Sequence, residues 1–163
     1  MKRVVVHPVV IALGSNLGDR EGTIDRAVSE LDATPGVRVT AVSPVLETIA
    51  LTLHGLDEAE PRYLNAVALI DTVLGPEEVL RVCHQIEQNH GRVRTQRWGS
   101  RTLDLDVIDY DHMSIRTPDL ELPHPRAAGR DFVLAPWLSV DPEAWLPGQG
   151  RVADLLATLR EQQ

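Results

Sequence analysis

The chain has 163 residues, 43% of them hydrophobic and 25% charged, as in an ordinary soluble domain with its own core, which excludes a disordered tail, a collagen-like repeat and a disulfide-stapled scaffold. Its one cysteine, Cys83, permits no internal disulfide and no thiolate zinc cluster. A net charge of −8 argues against a general nucleic-acid binder, which needs broad cationic faces, while leaving room for a local cationic site.

Lys2 and Arg3 precede an apolar stretch over residues 4–13 that superficially resembles a secretory signal. The His7-Pro8 pair interrupts it and no small-x-small cleavage site follows. A strand running into a turn at Gly14 accounts for the same residues. No apolar run approaches the ~20 residues that span a bilayer, so the reading is a cytoplasmic protein with no membrane partner.

Residues 9–13 predict a buried strand, and the sequence GSNLG at 14–18 a tight turn out of it. This turn lacks the Gly-Lys-Ser/Thr of a Walker A loop, so a direct phosphate contact is the lesser reading. Ile24, Ala27, Val28 and Leu31 fall on one helical face, which Pro35-Gly36 ends. Residues 37–48 are rich in β-branched side chains and predict a strand with an edge position or irregularity at Pro44. Residues 49–62, with Gly55, Pro61 and the acids Asp57, Glu58 and Glu60, predict an exposed loop.

Residues 63–73 predict another strand. Gly75-Pro76 opens a helix with Glu77 and Glu78 in its first turn, where carboxylates suit the helix dipole. Its apolar face is Val79, Val82, Cys83 and Ile86, which makes Cys83 a small core residue. Gly91 ends that helix. A strand over 103–110 and a last helix through Val152, Leu155, Leu156 and Leu159 complete the pattern. The order β-α-β-β-α-β predicts an α+β, ferredoxin-like sandwich, with helices on one face of a mainly antiparallel sheet and a C-terminal extension containing more helix.

Arg92, Arg94, Arg97 and Arg101 place four cations within ten positions and no acid among them. An Arg-favouring genome explains arginine over lysine but not the absence of acids. Guanidinium forks match phosphate oxygens, and the flanking Gly91 and Gly99 suit a lid that closes over them. Directly afterwards, Leu103, Leu105 and Val107 alternate with Asp104 and Asp106. On a strand both carboxylates share one face, where they repel unless a cation bridges them. Alone that pattern also suits an exposed sheet face. After four arginines it points to phosphoryl transfer with Mg²⁺. His124 lies between two prolines with Arg130 and Phe132 downstream; a histidine so placed is ordinarily structural, and Arg130 adds a second anionic contact. Tyr63, Trp98 and Phe132, half of the six aromatic residues, lie beside polar motifs and suit stacking on a flat heterocycle.

Together these residues resemble the 6-hydroxymethyl-7,8-dihydropterin pyrophosphokinase family of folate biosynthesis. The resemblance runs through IALGSNLGDR, PRYLNAV, IEQNHGRVRTQRWGSRTLDLDVIDYD and LPHPRAAGRDFVLAPW, nearly the whole chain. It implies one pyrophosphokinase domain over residues 1–163, a monomer, that transfers the β,γ-diphosphate of ATP to the pterin hydroxymethyl oxygen and releases AMP. Asp104 and Asp106 match the carboxylates that hold two Mg²⁺ ions. Arg92 and Arg101 match positions that neutralise the leaving charge. Glu87, Arg94, Trp98, Arg101, His124, Arg130 and the Val107 backbone match ATP-site positions. Tyr63 and Phe132 match the rings that sandwich the pterin, with Asn65 and the Thr48 and Leu51 backbone at its polar edge.

Three departures stand out: Ile49-Ala50 follows Thr48 where the family has prolines, His84 stands where some members have Gln, and Pro125 replaces an aromatic beside the histidine. Rival classes fit less well. A two-metal nucleotidyltransferase would track a polyanion, against the acidic balance, and an RNA-binding module needs aromatics on its central strands.

Overall fold

The order of apolar and polar residues in the first segment sets up the whole architecture. β1 (His7–Ser15) is the buried strand expected at 9–13. In this computed structural model, which describes residues 4–15, 20–48, 51–52, 55–56, 63–90 and 103–162, it lies inside the main sheet. α1 (Arg20–Ala33) follows and ends as expected at Pro35-Gly36. Gly36 has φ +84°, a left-handed value that favours glycine, and its carbonyl accepts the Val73 N–H at 3.0 Å.

β2 (Val37–Val42) and β3 (Leu46–Thr48) divide the predicted strand in two. The break holds Pro44, which has no N–H for the ladder. Ser43 stitches the gap: its backbone N–H donates to Val67 O, and its hydroxyl accepts the Val67 N–H, both at 2.9 Å. Within the expected loop, β4 (Leu51–Thr52) pairs with β5 (Gly55–Leu56). β6 (Tyr63–Thr72) then takes β1 on one side and β2 with β3 on the other.

α2 (Pro76–Asn89) starts at Pro76, with the Glu78 carboxylate accepting the Gly75 N–H at 3.1 Å. β7 (Asp104–Tyr110) pairs with β1, giving the sheet order β2-β6-β1-β7 with every neighbouring pair antiparallel. Beyond it come β8 (Ile115–Arg116) paired with β9 (Glu121–Leu122), α3 (Asp131–Val140), β10 (Trp145–Leu146) paired with β11 (Gly150–Arg151), and α4 (Val152–Glu161).

Period-2 alternation gives the sheet two apolar faces. Val9, Ile11, Leu13, Leu105 and Val107 pack with Ala27 and Leu31 of α1 and Val79, Cys83 and Ile86 of α2. Cys83 is fully buried, and burial pushes its thiol far up, as suits an inert core residue. Val10, Ala12, Val67 and Ile108 point to the opposite face, against Val133, Leu134 and Trp137 of α3 and Val152 and Leu156 of α4. The sheet is therefore covered on both faces, a layer beyond the single helical layer that the element order predicts. Among the described residues, no helix is long and apolar enough to cross a membrane.

Candidate active site

Gly14 near the end of β1 is the centre of a row across three strands, opposite Asn65 on β6 and Asp104 on β7. A Cβ on residue 14 would come within 3.2 Å of the Asn65 side-chain oxygen, so glycine admits the close approach of that amide. One step further in, Ala12 lies opposite Asp106. Asp104 and Asp106 are half-buried on the α3 side, while Leu103, Leu105 and Val107 are buried on the other. That is the alternation expected from the sequence.

A buried carboxylate on α2 fixes the strand that carries them. Glu87 is 3% exposed, and its Oε2 accepts the backbone N–H of Leu105 at 3.0 Å. β7 ends the main sheet, and this bond ties the outermost strand to the helix beneath it.

Two cavities open on either side of the paired carboxylates. One, of about 420 Å³, is lined by His84, Glu87, Asp104, Asp106, Val107, His124 and the turn at 117–121. The other, of about 360 Å³, is lined by Gly14, Tyr63, Asn65, Asp104, Asp106, Arg130 and Phe132. Asp104 and Asp106 are shared by both. Arg130 stands at 3.8 Å from the Asp106 carboxylate, with its guanidinium 5.6 Å from the centre of the Phe132 ring. Asn65 is buried, and the Tyr63 and Phe132 side chains are half-buried.

The predicted sets thus separate in space. Glu87, Val107 and His124 of the ATP set line the first cavity, whereas Arg130 lines the second, beside Tyr63, Asn65 and Phe132. Thr48 lies in register opposite Tyr63, and Leu51 is on β4. Arg92, Arg94, Trp98 and Arg101 lie outside the described residues. Gly14 serves a close approach that its reading as a plain turn residue missed. The turn at 117–121 escaped the sequence reading, although Thr117-Pro118-Asp119 is a turn signal; Thr117 Oγ1 accepts the Leu120 N–H at 3.0 Å.

His124 has its Nδ1 occupied by the Arg126 N–H at 3.1 Å, so the neutral ring carries its proton on Nε2 as a donor. Burial holds its pKa below the ordinary 6.5, opposed by the Asp106 carboxylate and assisted by Arg130 and Arg126. The folded state therefore takes up this proton less readily than the unfolded chain, and His124 costs stability as the pH falls through the unfolded value. Urea melts at about pH 7.5 and 5.5 should show a smaller acid loss in His124→Gln than in the unaltered protein. An unchanged loss would remove His124 from this role.

Two half-buried carboxylates facing two cavities form a hard-oxygen donor set. It suits Mg²⁺, which takes one or two protein carboxylates and completes its shell with phosphate oxygens and water.

Residues 10–142 match the family described as 7,8-dihydro-6-hydroxymethylpterin-pyrophosphokinase. The 2-amino-4-hydroxy-6-hydroxymethyldihydropteridine pyrophosphokinase of Pseudomonas aeruginosa is 38% identical over 153 residues, covering 94% of this chain and 92% of the relative. That of Bacillus subtilis is 44% identical over 126 residues, covering 77% and 73%. Among solved structures, Plasmodium falciparum HPPK-DHPS with pteroate matches at a TM-score of 0.74 and 13% identity, over 99% of this chain and 44% of that one. That last likeness concerns the fold alone, and this chain spans less than half of the longer one.

Proposed function

The chain belongs to the 7,8-dihydro-6-hydroxymethylpterin-pyrophosphokinase family, and from that premise we propose how its residues divide the work. The protein is a pyrophosphokinase of folate biosynthesis. It moves the β,γ-diphosphate of ATP to the hydroxymethyl group of 6-hydroxymethyl-7,8-dihydropterin and releases AMP. The observation that carries the division of labour is the pair of cavities meeting at Asp104 and Asp106.

In this reading ATP occupies the cavity with His124 and the Val107 backbone, and the pterin occupies the one with Tyr63, Asn65 and Phe132. The two rings hold the heterocycle flat, and the buried Asn65 amide reads its polar edge, with the Thr48 and Leu51 backbone beyond. Asp104 and Asp106 hold two Mg²⁺ ions at the junction. Bound there, Mg²⁺ would supply positive charge against the triphosphate. Arg130 stands at the same junction and steadies the anionic group as it crosses from one cavity to the other. Arg92 and Arg101 neutralise the bridging oxygen that leaves with AMP, while Arg94 and Trp98 hold the nucleotide. Displacement is direct, with no covalent enzyme intermediate.

The sheet order β2-β6-β1-β7 with antiparallel neighbours supports the ferredoxin-like reading of the fold. The family match over 10–142 supports one pyrophosphokinase domain across 1–163. We take it to act as a cytoplasmic monomer on small molecules, a reading that its charge of −8 supports against a nucleic-acid substrate.

Incubation with Mg-ATP and the hydroxymethyl pterin should yield AMP and the pterin diphosphate in equal amounts. ADP in place of AMP, or no product, would overturn the reading. Phe132→Ala should weaken pterin binding several-fold, since ring stacking contributes roughly 0.5–1.5 kcal/mol beyond area burial. ATP binding should change little, and equal weakening of both would assign Phe132 to packing instead.

A further inference from the structure

The last turn of α2 carries Glu87, whose hold on the Leu105 N–H sets the strand bearing Asp104 and Asp106. No basic residue in that turn offsets the negative end of the helix dipole. The turn is held from the neighbouring helix instead. Glu30 on α1 accepts the Asn89 side-chain amide on Oε1 at 3.1 Å and the His90 ring nitrogen Nε2 on Oε2. An ionised carboxylate only accepts, so His90 carries a ring proton on Nε2. Both oxygens of one side chain thus engage the two residues at which α2 ends. The clamp continues inward: the His90 backbone N–H donates to Glu87 O at 3.2 Å, and Asn89 Oδ1 takes the Gln85 amide at 3.0 Å.

This carboxylate is poorly placed if its purpose is stability. It stands beside the negative end of a helix, and its side chain is 33% exposed, where such pairs add little to folding. The contact between α1 and α2 is already built on Ala27, Leu31, Val79, Cys83 and Ile86. What the two bonds add is direction. They fix the end of α2, and with it Glu87, in one place relative to the sheet.

We propose that Glu30 is a positioning residue for the diphosphate transfer, acting through the last turn of α2 and Glu87 on the strand that carries Asp104 and Asp106. The inference rests on the assignment of those two carboxylates to the metal. Helix ends fray unless something holds them, and a displacement of about 1 Å at reacting groups can cost ~10²-fold in rate.

Steady-state kinetics of the full chain make the test. Glu30→Ala should lower kcat at least about fivefold, while KM for ATP and for the pterin each change less than about twofold. Glu30→Gln keeps an acceptor for Asn89 and can donate to the other tautomer of His90, so it should recover most of the rate. In a Glu87→Ala background the effect of Glu30→Ala should shrink below about twofold, because the relay is already cut. If circular dichroism shows Glu30→Ala unfolded, the exposed Asn89→Ala, which cuts one of the two bonds, decides by the same split. An unchanged kcat, a loss that falls on KM, no recovery in Glu30→Gln, or the full loss persisting without Glu87 would overturn the proposal. Asp106→Ala, measured alongside, separates the two readings. Near-full turnover in it overturns the metal assignment and the proposal with it, whereas an inactive Asp106→Ala beside a fully active Glu30→Ala overturns the proposal alone.

Discussion

Asp106→Ala should lower turnover by ~10²-fold or more, the scale on which removal of preorganised electrostatics acts, with little change in melting temperature. The carboxylate contributes little to folding. Its side chain is 46% exposed, and its pairing with Arg130 spans 3.8 Å, a class of ion pair worth about 0–1 kcal/mol. Its removal also relieves repulsion from Asp104 two residues away on the same face. The residue lies where both cavities meet, so the loss falls on the transfer itself. Asp104→Ala should behave alike. Steady-state kinetics across a magnesium series, with thermal melts of each variant, make the check. Near-full turnover at ordinary Mg²⁺ in either variant would remove that carboxylate from the metal site.

Glu87→Ala should fail in a different way. The substitution leaves the buried Leu105 N–H unpaired at a cost of ~1–3 kcal/mol, enough to lower the melting temperature of a chain this size by roughly 2–10 °C. It also frees the strand bearing Asp104 and Asp106. A displacement of about 1 Å at such groups can cost ~10²-fold in rate, so turnover should fall as well. Glu87→Gln keeps an acceptor oxygen and should recover most of the stability and the rate. The sequence resemblance places Glu87 among ATP contacts, and that role predicts another pattern: a raised KM for ATP with an unchanged melting temperature. The two outcomes separate a positioning residue from a ligand contact.

The centre of this site is legible in the sequence because its letters obey simple periods. Leu103, Asp104, Leu105, Asp106 and Val107 alternate without a break, and the strand places them as that alternation requires. Pro44 marked the interruption between β2 and β3 for the plain reason that it lacks an N–H. Other features have no such signature. α3 is apolar nearly all round and contains Pro136, so it shows neither a helical stripe nor an uninterrupted run, and of the two helices on the second face only α4, with its stripe at Val152, Leu155, Leu156 and Leu159, is legible. Asp109 stands in phase with the core residues Leu105 and Val107 by alternation alone. The pairing of β1 with β7 shifts register between Val10 and Ile11, and beyond that irregularity Asp109 lies on the side of Val10 and Trp137. A bulge depends on the partner strand, and no single segment encodes it.

The alternation on β7 also guards the strand against misplacement. Sliding β7 by one residue along β1 would turn Asp104 and Asp106 into the apolar layer over α1 and α2 and push Leu105 and Val107 out to water. Each stranded carboxylate would cost several kcal/mol, and Glu87 would meet a different backbone group from the Leu105 N–H that it now holds. The repulsive pair that makes the site chemically useful is thus an error check on assembly. A chain that folds out of phase cannot settle, so the carboxylates reach the junction of the two cavities or the strand does not dock at all.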